Sequence, residues 1–117
     1  MTQPYGQPWY LMFDDARREI AQKAKHRSTL QLLFELPAIL SWTEFRPLNQ
    51  RTVAARLKIS PASISYAMKE LHDLGMVERQ GNGPVLTWRL ALKLGWRGTP
   101  AAYLAEQRRR EQQPRQL

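Results

Sequence analysis

The chain contains no cysteine. Disulfides and thiolate metal sites are therefore excluded, and a reducing compartment such as the cytoplasm is compatible with the composition. Histidine is scarce too, with only His26 and His72. A metal site would have to be built from carboxylates, which are outnumbered, at 10 Asp and Glu against 18 Lys and Arg, and are not clustered. No metal and no cofactor is expected. Long apolar runs are missing as well. None approaches the roughly 18 residues of a membrane-spanning helix. The opening MTQPYGQPWYLMFDD has neither the basic start nor the long apolar centre of a secretory signal. No membrane association is expected.

The same shortages weigh against catalysis. Ser65 and His72 share a helical face, but seven residues at about 1.5 Å each set them roughly 10 Å apart, too far for a nucleophile and its base. Asp14-Asp15 is more simply a helix start than an acid/base pair. Gly81-Asn82-Gly83 lacks the lysine and helix that follow in a phosphate-binding loop. The sequence reads as that of a protein that is not an enzyme.

What is present is one modest core and a lopsided charge. At 117 residues with 43% hydrophobic, the chain has room for one domain and enough apolar side chains to fold. The net charge is +8. Residues 1–45 balance five basic against five acidic side chains, whereas residues 46–97 hold nine Lys and Arg against Glu70, Asp73 and Glu78. Positive charge concentrated on one stretch attracts a polyanion; solubility alone does not require that clustering.

Read in order, residues 1–8 carry Pro4, Gly6 and Pro8 and suit a flexible arm. WYLMF at 9–13 reads as a short strand. Asp14 is placed to cap a helix over 15–25, with Ala16, Ile20 and Ala24 inward and Glu19 four residues before Lys23. Ser28 is the expected cap of an apolar helix carrying Leu30, Leu33, Phe34 and Leu36, and Pro37 predicts a bend or break. Asn49 predicts the start of a helix over 50–57, and Lys58-Ile59 a turn. Ser60 followed by Pro61 predicts a second helix whose core stripe is Ile64, Ala67 or Met68, Leu71 and Leu74, stopped by Gly75. Residues 76–79 and 85–89 read as strands around Gly81-Asn82-Gly83-Pro84. Leu92, Leu94 and Trp96 form an apolar connector. Thr99-Pro100 repeats the cap-then-proline signal and predicts a helix from 100 to about 112, its arginine triplet 108–110 solvated.

Helix, tight turn, helix and hairpin over 48–90 are the plan of a winged helix-turn-helix. The expected fold class is α+β, mainly α: a winged helix-turn-helix with a two- or three-stranded β wing plus extra N- and C-terminal helices. The domain is expected over 9–104, with the helix-turn-helix at 48–74 and the wing at 76–90, before a basic Gln/Arg-rich tail at 105–117. With the core stripe turned inward, Ala62, Ser63, Ser65, Tyr66 and Lys69 lie on the outer face of the second helix. These are types that suit base edges, phosphates and thymine methyls. Asn49 and Ser60 open helices whose N-termini attract phosphate. Arg51 and Arg56 are candidate backbone clamps, and Arg79, Gln80 and Asn82 are candidate wing contacts to a minor groove.

From residue 9 onward the pieces WYLMF, LQLLFEL, RTVAARLKISPASISYAMKEL, LGMVERQG and VLTWRLALKLGWRG resemble the RepL-type plasmid replication proteins. The Trp96-Arg97-Gly98 ending and the helix after it are the more distinctive part. The helix-turn-helix is similar to that of MarR-like repressors. The resemblance implies a plasmid or other mobile element as the setting. Three functions follow in order of preference. The first is a sequence-specific double-stranded DNA-binding transcriptional regulator acting by site occupancy. The second is an initiator of plasmid replication binding an origin, and the third a protein-interaction scaffold. A homodimer is expected, because one small module offers little contact for specificity, with the 9–13 segment or the Tyr103 and Leu104 face as its contact. The location implied is cytoplasmic, in association with nucleoid or plasmid.

Overall fold

The computed structural model describes residues 10–81 and 86–113. The arm expected at 1–8, Trp9, the wing turn with Asn82, Gly83 and Pro84, and the last four residues lie outside the described residues.

The elements run β1 (Leu11–Met12), α1 (Asp14–Lys23), α2 (Arg27–Ile39), β2 (Arg46–Pro47), α3 (Gln50–Leu57), α4 (Pro61–Asp73), β3 (Val77–Gln80), β4 (Thr87–Leu90), β5 (Gly95–Trp96) and α5 (Pro100–Glu111). The fold is a winged helix. Helices α2, α3 and α4 surround one core, and an antiparallel sheet in the order β2-β4-β3 forms the wing. The third strand comes from Arg46 and Pro47, which pair with Trp88 and Thr87. No helix of the described residues is long and apolar enough to cross a membrane.

Local chemistry explains most boundaries. Asn49 accepts from the amide of Thr52 (3.0 Å), Ser60 from Ser63 (3.1 Å) and Thr99 from Ala102 (3.1 Å), each satisfying a first-turn donor that the helix leaves open. Lys58 adopts the left-handed conformation (φ 59°) that ends α3, and Gly75 does so just beyond α4 (φ 80°), where a side chain would be disfavoured.

Two expected caps are corrected. α1 begins at Asp14 itself, behind Phe13, and α2 begins at Arg27, behind His26; neither preceding residue makes a side-chain cap bond. The stretch before Ser28 is fixed from outside instead, because the amides of Lys25 and His26 donate to the carboxylate of Glu70 in α4. Pro37 does not break α2, which runs two residues beyond it to Ile39. Nor is α2 buried all round. Leu32, Leu33 and Leu36 are buried, but Leu30 and Phe34 face outward, Phe34 with 73% of its surface exposed.

The N- and C-terminal segments close on each other. β1 pairs antiparallel with β5, and the amide of Phe13 donates to the carbonyl of Leu94 (3.0 Å). Gly95 is required there: a Cβ would lie 1.9 Å from the Leu11 carbonyl oxygen. Phe13 and Tyr103 meet edge to face with ring centres 5.7 Å apart, and Tyr103 also meets Trp96. Phe13 and Tyr103, one from each surface proposed for self-association, thus meet within the chain, whereas Leu11 and Leu104 of the same surfaces are exposed.

At the end of α5, Arg108 and Arg109 are exposed as expected, but Arg110 is not solvated. Glu106, its side chain 7% exposed, accepts from Arg109 and from the Nε of Arg110 (2.8 Å). Arg110 continues to the carbonyls of Leu90 (3.1 Å) and Trp42. Buried Arg89 pairs with Glu78 (2.6 Å) and lies 3.9 Å from Glu106. Burial alone would push the Glu106 carboxyl up, but the two arginines outweigh it and hold it below the ordinary range. A polar network therefore docks α5 on the wing.

Candidate nucleic-acid interface

The second helix of the pair, α4, divides cleanly by exposure. Ile64, Ala67, Met68 and Leu71 are buried against α2 and α3. Ala62, Ser65, Tyr66 and Lys69 are exposed, and Ser63 is half-buried. The helical repeat of 3.6 residues produces this division, since the buried positions recur at three- and four-residue steps.

Ser65, Tyr66 and Lys69 on the outer side each have a defined neighbour. The Ser60 and Ser63 hydroxyls lie 2.9 Å apart at the start of α4. Ser65 donates to the Oε1 of Gln50 (2.8 Å), which ties the middle of α4 to the first turn of α3. Tyr66, 60% exposed, stacks on His26 with ring centres 5.9 Å apart and planes 21° from parallel. Lys69 pairs with Asp73 (3.2 Å) while both stay well exposed, so water screens the pair and little energy holds the ammonium in place. On α3, Arg51 and Arg56 are exposed, as is Asn49, whose side-chain oxygen serves the cap. In the wing, Arg79 is exposed and lies over the Trp88 ring at 5.9 Å, and Gln80 is half-buried. Asn82 lies outside the described residues.

The structure brings the start of α3 and the outer side of α4 together through the Gln50–Ser65 bond. It places Arg79 and Gln80 on β3, the strand that follows α4. Sequence reasoning missed four neighbours of this face. Gln50 carries no signal of its contact with Ser65. Lys25 and His26, in the corner between α1 and α2, were assigned no role. Glu70, in the sequence only one of three acids over 46–97, is half-buried and accepts from the amides of Lys25 (2.7 Å) and His26 (3.3 Å) and from the Thr29 hydroxyl. Burial would raise the Glu70 carboxyl, but the hydrogen bonds from Thr29, Lys25 and His26 prevail and hold it low. No single-sequence signal points across the roughly forty residues that separate these partners.

The arrangement offers hydroxyls, an aromatic ring and ammonium and guanidinium groups on a protruding helix. Ser65 is committed to Gln50, and His72 meets the edge of Trp88 (6.2 Å). Among the described residues no group of three His, Asp or Glu side chains could hold a metal ion.

No curated protein matches the chain. The likeness to RepL-type replication proteins therefore rests on sequence pattern alone. Residues 37–84, less than half of the chain, match the model of the MarR family. The matched stretch runs from the end of α2 through α3, α4 and β3 to residue 84, the part that carries the candidate side chains. By this match and by its fold, the chain carries a MarR-like winged helix-turn-helix, the architecture of a family of DNA-binding regulators.

Proposed function

We propose that this protein is a transcriptional regulator that binds specific double-stranded DNA and acts by occupying its site. The observation that carries the reading is the outer side of α4. A helix with Ala62, Ser65, Tyr66 and Lys69 exposed is packed on the domain by its opposite side, and so can enter a major groove about 12 Å wide without unpacking the core. Ser63, Ser65 and Tyr66 are assigned to base edges. Lys69, Arg51 and Arg56 are assigned to phosphates, together with Asn49 and Ser60 at their helix starts. Arg79, Gln80 and Asn82 are assigned to the wing contact. Two copies would read half-sites about 10 base pairs apart or a multiple of that. The setting proposed is a plasmid or other mobile element in the cytoplasm.

Selection of bound duplexes from a random pool tests the reading, and an enriched sequence at moderate salt is expected. On that duplex, Lys69→Ala and Arg79→Ala should each weaken binding and reduce the slope of log K against log salt by about 0.9. Ser63→Ala and Tyr66→Ala should instead change the preference among sequences. A pool with no enriched sequence would overturn the proposal in favour of a protein-binding role. Enrichment of an origin repeat, rather than a promoter, would turn it toward replication initiation.

A further inference from the structure

We propose that the corner between α1 and α2 is a second contact for the DNA backbone, and that Glu70 is the residue that positions it. The inference rests on α4 being the reading helix. Two of its neighbours reach α4 on opposite edges of the outer side. Ser65 holds Gln50 of α3 on one edge. On the other, Tyr66 stacks on His26 while Glu70, one turn further on, accepts from the amides of Lys25 and His26 and from Thr29. A helix with its side chains is about 10–12 Å across, which nearly fills a major groove about 12 Å wide. Groups that flank such a helix therefore stand against the two phosphate walls. The start of α3 supplies one flank, and Lys25, His26 and Arg27 supply the other. All three are exposed, and among the described residues neither Lys25 nor Arg27 has an ion-pair partner. A cavity of about 440 Å³ between the corner and α4 is bordered by Lys25, His26, Tyr66 and Lys69 and also by the carboxylates of Glu70 and Asp73, of which Glu70 is engaged by the corner amides and Asp73 by Lys69.

Glu70 gives the proposal a test of sign. If it were simply an acid near the duplex, Glu70→Gln would remove repulsion and tighten binding. As the anchor of the corner it does the reverse. A Gln amide presents one oxygen and an NH2 group to three donors that the carboxylate satisfies together, so the corner loses its register. The experiment measures affinity of the full chain for its selected duplex by fluorescence anisotropy over a salt series. Glu70→Gln is expected to weaken binding roughly tenfold, whereas Asp73→Asn, which removes a charge one turn away and frees Lys69, is expected to tighten it. Lys25→Gln and Arg27→Gln should each lower the salt slope by about 0.9, the share of one phosphate contact. A Tm for each variant well above the assay temperature keeps unfolding out of the comparison. If wild type binds but Lys25→Gln and Arg27→Gln leave the slope unchanged, the corner is not a contact and only this inference falls. Tighter binding by Glu70→Gln would remove its positioning role. Absence of any duplex binding by wild type would overturn this inference together with the reading on which it rests.

Discussion

Glu106→Ala is the substitution whose cost the structure fixes most sharply. The carboxylate is 7% exposed and stands between Arg110, 9% exposed, and Arg89, 6% exposed. Removing it leaves two buried guanidiniums to share the half-exposed Glu78, which lies 2.6 Å from Arg89 and 3.5 Å from Arg110. Breaking a buried ion pair from one side costs about 3–5 kcal/mol, because the remaining charge is left in a poorly solvated place. Here the loss has a ceiling. α5 is the last helix and can lift off, which returns Arg110 to water at the expense of the docking energy of one helix. That helix contributes one substantial aromatic contact, Tyr103 against Phe13 and Trp96. We therefore expect a loss at the low end, about 3 kcal/mol, and for a domain of this size a fall in Tm of about 10 °C.

Thermal melting at pH 7 measures the loss, and amide exchange along 100–111 shows whether the helix lifts. A high-salt repeat separates this network from surface pairs, since buried charges are screened little. The double variant with Arg110→Met should lose less than the two single variants together, because the orphaned charge is gone. A Tm within about 2 °C of wild type, with unchanged exchange along α5, would show that the network is solvated and the reasoning wrong.

Three other outcomes follow from the same geometry. Glu70 and Glu106 both titrate below the ordinary glutamate value of 4.5 when folded. Their contribution is therefore fully present above that value and lost as pH falls through the lower folded one; melts from pH 7 to 3 should show an acid limb that Glu70→Gln and Glu106→Gln each flatten. Gly95→Ala drives a methyl into the Leu11 carbonyl, so it should cost about 1–3 kcal/mol and expose the amide of Phe13 to exchange; an unchanged melt would mean that β1 is not held there. Phe34→Ser should change stability by no more than about 0.5 kcal/mol in dilute solution, because the ring is 73% exposed; a larger loss that grows with protein concentration would identify α2 as a contact between copies.

The sequence reveals the parts whose causes are local. Asn49, Ser60-Pro61 and Thr99-Pro100 each place the oxygen acceptor, and the latter two also the fixed φ, that a helix start needs within four residues. Gly75 supplies a left-handed turn at one position. The buried stripe of α4 repeats every three to four residues, so its exposed side could be named without coordinates. Asp14 and Ser28 show the limit of the same rule. A good capping residue is used only where the chain is extended just before the helix, and the extended residues here are Phe13 and His26. The Arg46–Pro47 strand and the Glu70 anchor were not legible because their partners lie far away in sequence; in the Glu106 network the pairs with Arg109 and Arg110 are local, but the links to Trp42, Glu78 and Arg89 are not. Phe34 looked buried because apolar character was read without the direction of its side chain.

The pairing of the acids also decides where the positive field points. The net charge of +8 arises with 10 carboxylates, and several of these are committed inside the chain. Glu78 and Glu106 are spent on Arg89, Arg109 and Arg110 at the base of the wing. Glu19 is spent on Lys23 and Lys93, and Glu70 on backbone amides and a hydroxyl. Arg51, Arg56 and Lys58, on α3 and the turn, are exposed and have no ion-pair partner among the described residues. Solvent charges interact appreciably only within about 8 Å at physiological ionic strength, so distant carboxylates do not cancel these three. On the proposed reading, these three charges help to draw a polyanion to the helix-turn-helix, although the arginines are more numerous near the wing base and α5. A map that relied on arginine density alone would orient the duplex toward α5, where Arg89, Arg109 and Arg110 already pair with Glu78 and Glu106. On the proposed reading, pairing rather than count directs it to the side of α3 and α4.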